Sequence, residues 1–134
     1  MKTLTAIIES AENNYAAYIE GLDGIVATGE TVTDIKESLL QAVNEYVLLC
    51  EETGCEVPLD LRGNYRIEFK MDVKSLLNVF SKVFTKSGLE RLTGINQKQL
   101  WHYASGMSVP RRAQVTKIEN AIHRLADELH AIQL

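Results

Sequence analysis

The residue types best suited to chemistry sit in one short run, Gln97-Lys98-Gln99-Leu100-Trp101-His102. A glutamine amide can bond N6 and N7 of adenine with two hydrogen bonds, and a lysine ammonium can reach O6 and N7 of guanine. Read as a helix, the segment turns Leu100 and Tyr103, three residues apart, toward a core. Gln97, Lys98, Gln99, Trp101 and His102 are then left outward or flanking, where the early residues of a groove-binding helix meet base edges. Trp101 reads as a partly buried packing residue. Cations flank the run. Between Lys86 and Lys117 there are six Lys and Arg against one acid, a local balance of +5. Lys86, Arg111, Arg112 and Lys117 therefore read as phosphate contacts beside the four base-reading candidates.

The other constellations are weaker. Two-metal hydrolysis needs clustered carboxylates, and the candidates are Glu9, Glu37 or Glu45, and Glu68. Glu68 alternates with Arg66 and Lys70, the ordinary place for a solvated charge, and no Asp falls within an expected strand. His123, Asp127 and His130 lie at i, i+4 and i+7 of a helical segment and could face a metal, but scattered polar residues on a solvated face explain them as well. There is no nucleophile–base–orienter set and no glycine-rich phosphate loop. Cys50 and Cys55 fit neither a C-x-x-C redox motif nor a zinc pattern and read as free thiols in a reducing cytoplasm. No catalytic residue, metal or cofactor is expected, and the chain is not read as an enzyme.

The elements that must position the candidates follow from periodicity. Leu4, Ala6 and Ile8 alternate with Thr3, Thr5 and Ile7, and Tyr15, Ala17 and Ile19 with Ala16, Tyr18 and Glu20, about a Glu12-Asn13-Asn14 break: a hairpin. Ile25 to Thr28 supplies a third short strand. Thr31 and Asp34 resemble a capping box, and apolar residues at Ile35, Leu39, Val43, Tyr46 and Cys50 predict a helix of about five turns stopped at Gly54. Residues 54–64 read as a loop, and Tyr65, Ile67, Phe69 and Met71 alternate as a fourth strand. After Met71 the period becomes helical. Leu76, Leu77, Phe80 and Phe84, with Val83 beside them, predict one amphipathic helix. Gly94 can end a further helix with positive φ, Ile95 plugs the corner, and Asn96 caps the next helix. Gly106 ends that helix, and Pro110 suits the first turn of a last one.

The expected class is α+β: a β-β-β-α-β domain over residues 1–71, followed by an all-α domain over residues 72–134. From about Lys74 to Leu125 the chain resembles the lambda-repressor-like (Cro/XRE) family of helix-turn-helix domains. The matching parts are Leu89…Thr93-Gly94-Ile95-Asn96-Gln97…Leu100…Tyr103…Gly106, then Pro110, then Val115-Thr116-Lys117-Ile118…Ala121-Ile122. By that resemblance Gln97, Lys98, Gln99 and His102 fall on base-reading positions. The family has a small residue where Glu90 stands and an apolar one where Thr93 stands.

The first module, through Tyr15-Ala16-Ala17-Tyr18, Leu22-Asp23-Gly24 and Ala27-Thr28-Gly29-Glu30-Thr31, resembles the HicB antitoxin family, without that family's prolines and cysteine in the turn. The resemblance implies a partly degraded, non-catalytic RNase H-like fold that blocks a small basic mRNA-cleaving toxin of the HicA type. The helix-turn-helix half would then repress the operon.

Charge agrees with two partners. The whole chain carries −4. Residues 1–70 hold five Lys and Arg against thirteen Asp and Glu, a net −8, and the remainder nine against five, a net +4. An acidic half suits a basic protein and a basic half suits phosphate. Two domains of this size are individually marginal, so a homodimer or higher homo-oligomer is expected. Neither a signal peptide nor a membrane span is legible, and the expected place is the cytoplasm. Two other readings stay open: an orphan protein-interaction module whose helical half only oligomerises, and a one-component regulator whose first domain senses a small ligand.

Overall fold

The alternating apolar residues of the first third form three strands, β1 (Lys2–Ser10), β2 (Tyr15–Ile19) and β3 (Val26–Gly29). A long helix, α1 (Val32–Thr53), and a fourth strand, β4 (Tyr65–Lys70), follow, with a 3-10 turn at Leu59–Leu61 between them. Four further helices complete the chain: α2 (Val73–Val79), α3 (Lys86–Thr93), α4 (Gln97–Ser105) and α5 (Arg112–His130). The computed structural model describes residues 1–10 and 12–134, a mixed α+β chain. It divides into two compact units, Met1–Met71 and Asp72–Leu134.

In the first unit the strand order is β3-β2-β1-β4. β1 runs antiparallel to β2, with Ala6 opposite Ile19 and Ile8 opposite Ala17, and β2 antiparallel to β3. β4 lies parallel to β1, with Leu4 opposite Ile67 and Ala6 opposite Phe69. A parallel neighbour needs a crossover, and α1 supplies it. Period 2 puts Leu4, Ala6, Ile8, Ala17, Ile19 and Ala27 on one buried face, where Ile35, Leu39 and Val43 of α1 join the same cluster. Those three recur every fourth residue, one stripe of a helix. Thr31 caps α1, its Oγ1 accepting the Asp34 N–H at 3.0 Å. At 22 residues α1 makes about six turns, one more than its apolar stripe predicts.

The second unit is built around Val73, Leu77, Leu89, Ile95, Leu100, Tyr103, Ala104 and Ile118. The single helix expected across Leu76 to Phe84 is two pieces. α2 stops at Val79, and the chain turns through Phe80, whose carbonyl accepts from both Val83 and Phe84. Val83 is exposed, while Phe84 packs on the core. Phe80 leaves the helix (φ −97°, ψ 17°), and Thr85 takes extended backbone (φ −77°, ψ 156°) to cap α3, accepting the Gly88 N–H at 3.0 Å, so one helix cannot run through both. Asn78 also sends its amide to the carbonyls of Lys74 and Ala104, both at 2.8 Å, tying α2 to α4. Pro110 lies outside α5 rather than in its first turn. Arg111 is the N-cap with extended backbone, and the helix begins at Arg112.

Among the described residues, no helix is long and apolar enough to cross a membrane. Cys50 is buried, Cys55 exposed, and both are free.

Candidate nucleic-acid interface

Two short helices meet at a bend that the sequence specifies atom by atom. α3 ends at Gly94, whose φ of 75° is left-handed, and the Gly94 N–H donates to the Glu90 carbonyl at 2.8 Å. An L side chain is strained in that conformation, so glycine is the residue the bend requires. Thr93 Oγ1 donates to the Leu89 carbonyl at 2.7 Å and accepts the Ile95 N–H at 3.1 Å. Ile95 then drops into the core. Asn96 caps α4 by accepting the Lys98 N–H at 2.8 Å, and the Glu90 carboxylate reaches from α3 to accept the Gln97 N–H at 3.0 Å. Two of the N–H groups that a helix start leaves without partners are thereby satisfied.

Glu90 and Thr93, the two positions where the chain departs from the helix-turn-helix pattern, are thus the side chains that tie the bend together. Their polarity is used locally: one bonds across the two helices, the other within the turn. Gly106 closes α4 at φ 81°, and a methyl there would lie 3.1 Å from Lys74 Nζ.

Leu100, Tyr103 and Ala104 bury one side of α4. At about 100° per residue, the opposite arc runs Gln97, Trp101, Ser105, Lys98, His102. Gln97 and Lys98 are exposed at the start of the helix, as the sequence pattern expects. Two other candidates are less free. Gln99 is half-buried at the margin of the core, and its Nε2 donates to Ser108 Oγ at 3.1 Å. His102 is half-buried, its ring meeting that of Trp101 edge-on, with centroids 5.9 Å apart and planes at 61°.

Trp101 is 53% exposed, on the outward side of α4. The apolar character of tryptophan suggests burial, but the 3.6-residue period places position 101 between Gln97 and Lys98, away from Leu100 and Tyr103. Angular position outweighs residue type here.

The segment between α4 and α5 folds back on α4. The Ser108 N–H donates to the His102 carbonyl at 3.3 Å, and Ser108 Oγ takes the Gln99 amide. These bonds hold the stretch leading to Arg111 and Arg112 against α4. Arg111, Arg112 and Lys117 are exposed at the start of α5, and Lys86, half-exposed, opens α3. Among the described residues the only ion pair is Arg66–Glu68, in the other unit, so none of the cations from Lys86 to Lys117 is neutralised by a carboxylate.

The competing constellations do not assemble. Among the described residues, no group of three or more His, Cys, Asp or Glu side chains is placed to hold a metal ion. Glu68 is exposed and paired with Arg66 at 3.2 Å. Glu9, Glu37, Glu45, His123, Asp127 and His130 are all exposed.

The arrangement offers an exposed helix face bearing an amide, an ammonium and an indole, flanked by unpaired cations. No family model, curated protein or solved structure matches the chain.

Proposed function

We propose that the chain is a DNA-binding repressor of the HicB-antitoxin type, in which α3 and α4 form a helix-turn-helix that docks on double-stranded DNA. The observation that carries the reading is the capped bend at Gly94, which presents Gln97 and Lys98 at an exposed helix start among cations with no carboxylate partner. Such a start reaches base edges, while Arg111, Arg112, Lys117 and Lys86 hold phosphates. The protein acts on DNA as a homodimer, because two half-sites call for two reading helices. Leu129 and Ile132, exposed at the end of the chain, support an apolar contact with a second copy.

In this reading the first unit is a partly degraded RNase H-like domain that blocks a small, basic, mRNA-cleaving toxin. Its β-β-β-α-β order with β4 parallel to β1, and its net −8 over residues 1–70, support that role. It performs no catalysis.

The test is binding of the full chain to a random pool of 30-base-pair duplexes, followed by titration of the selected duplexes. If about six phosphates are neutralised, affinity falls on the order of a thousandfold between about 50 and 200 mM salt. Arg111→Ala and Arg112→Ala each make the salt response shallower by about one unit of slope, while Lys98→Ala relaxes the selected sequence at one position. A flat response overturns the reading. For the first unit, expressing a basic reading frame adjacent to this gene arrests growth and co-expression of the chain restores it; absence of any rescue removes the antitoxin role.

A further inference from the structure

We infer that Trp101 is a specificity-determining residue, pressing its indole on the 5-methyl group of a thymine in the major groove; the inference rests on the DNA-binding reading and deepens it. The sequence pattern assigned the reading to Gln97, Lys98, Gln99 and His102, and the structure redistributes it. Gln99 is half-buried and commits one of its amide N–H groups to Ser108 Oγ, 3.1 Å away, which fixes the side chain toward that loop. His102 is half-buried, with its ring edge-on to the indole. What remains on the exposed arc is Gln97, Lys98 and, between them in angle, Trp101 and the small Ser105 at the far end of the helix.

A large aromatic surface left 53% exposed within an otherwise polar arc is costly in water and suits an apolar partner. On a major groove the apolar group available to a side chain is the thymine methyl, and it distinguishes T·A from the other pairs. The edge-on contact with His102 restricts the indole's orientation. Less side-chain freedom is therefore lost when the ring meets a base. Gln97 and Lys98 can bond the polar edges of neighbouring pairs, so polar and apolar readout come from adjacent positions of one helix start.

Trp101 is the chain's single tryptophan, so its emission reports this site alone. The experiment takes the duplex selected by the full-length protein and replaces each thymine in turn with uracil, which lacks only the methyl group. Uracil at one position per half-site is expected to weaken the unmodified protein about fivefold or more. The same replacement should leave Trp101→Ala changed by less than about twofold, and Trp101 emission should lose its accessibility to iodide on binding. The iodide measurement needs no variant, so a poorly folding Trp101→Ala leaves the proposal falsifiable. Equal uracil penalties for both proteins, or an indole as accessible to iodide in the complex as out of it, overturn the assignment of Trp101 while leaving DNA binding intact. Failure of the unmodified protein to select any duplex overturns the DNA reading and this inference together.

Discussion

In Met1–Met71 the backbone is satisfied at long range: β1 bonds β2 on one side and β4 on the other, and one 22-residue helix covers the buried face. In Asp72–Leu134 no strand occurs among the described residues, and α2, α3 and α4 are only 7, 8 and 9 residues long. Helices that short are marginal by themselves. They are held by side chains at their ends, with Asp72, Thr85 and Asn96 each accepting a first-turn N–H. The acidic unit therefore derives its geometry from strand register, and the basic unit from a few polar caps and a small core. Where function depends on a helix start, those caps set the functional geometry as well as the stability.

The sharpest way to break this comparison is to remove one central leucine from each unit. Leu39 and Leu100 are both fully buried, and truncating either to alanine costs about 2–5 kcal/mol. Leu100→Ala acts on the helix that carries Gln97, Lys98 and Trp101. It should lower the denaturant midpoint followed by Trp101 emission and abolish DNA binding at concentrations where the unmodified chain binds. Leu39→Ala should reduce amide protection in β1 and β2 and leave the affinity for DNA unchanged. Equal losses of DNA affinity from the two substitutions would show that the proposed division of labour is wrong.

The same contrast explains what the sequence could disclose. Alternation at Leu4-Ala6-Ile8 and Tyr65-Ile67-Phe69 and the four-residue stripe Ile35-Leu39-Val43 are repeated signals, so the strands and α1 were legible. The parallel pairing of β1 with β4 was not, because alternation says which face is buried and nothing about which strand lies beside which. The bend at Gly94 with its Asn96 cap was legible because each residue there has a backbone reason to be present. The break between Val79 and Lys86 was hidden, since Leu76, Leu77, Phe80 and Phe84 keep a helical period even though the chain leaves the helix at Phe80 and starts another after Thr85. Glu90 and Thr93 looked like mismatches because a pattern of residue sizes carries no information about hydrogen bonds across a bend. At Trp101 the helical angle said outward and the residue type said packing, and its 53% exposure lies between the two.

A second pair of substitutions sharpens the claim that local devices hold the basic unit. At Gly94 nothing lies within 4 Å of an added methyl, so Gly94→Ala meets no clash. Its cost is conformational alone, about 1–2 kcal/mol for holding an L residue in the left-handed region. Asn96→Ala removes the cap and costs about 1 kcal/mol. Both should appear as lower thermal midpoints. They should also weaken DNA binding by more than the loss of folded fraction accounts for, since the proposed function places base reading at the N-terminus of α4. If either variant is destabilised and yet binds DNA normally once corrected for folded fraction, cap geometry is not what presents the reading residues.

The smallest effect belongs to the one ion pair among the described residues. Arg66 and Glu68 meet at 3.2 Å on the outer face of β4, with their side chains 64% and 44% exposed. Arg66 Nε also donates to Thr3 Oγ1 at 3.1 Å across the β1–β4 junction. An exposed pair gains little, because water and salt screen the attraction and two long side chains lose freedom to form it. If ladders rather than side chains hold the acidic unit, a double-mutant cycle of Arg66→Ala and Glu68→Ala should give a coupling below about 0.5 kcal/mol, shrinking further in high salt. Arg66→Ala by itself should lose slightly more, through the bond to Thr3. A coupling above about 1 kcal/mol that persists in high salt would mean that the parallel β1–β4 junction, like the bend at Gly94, depends on named side chains, and the contrast between the two units would fail at its weakest strand.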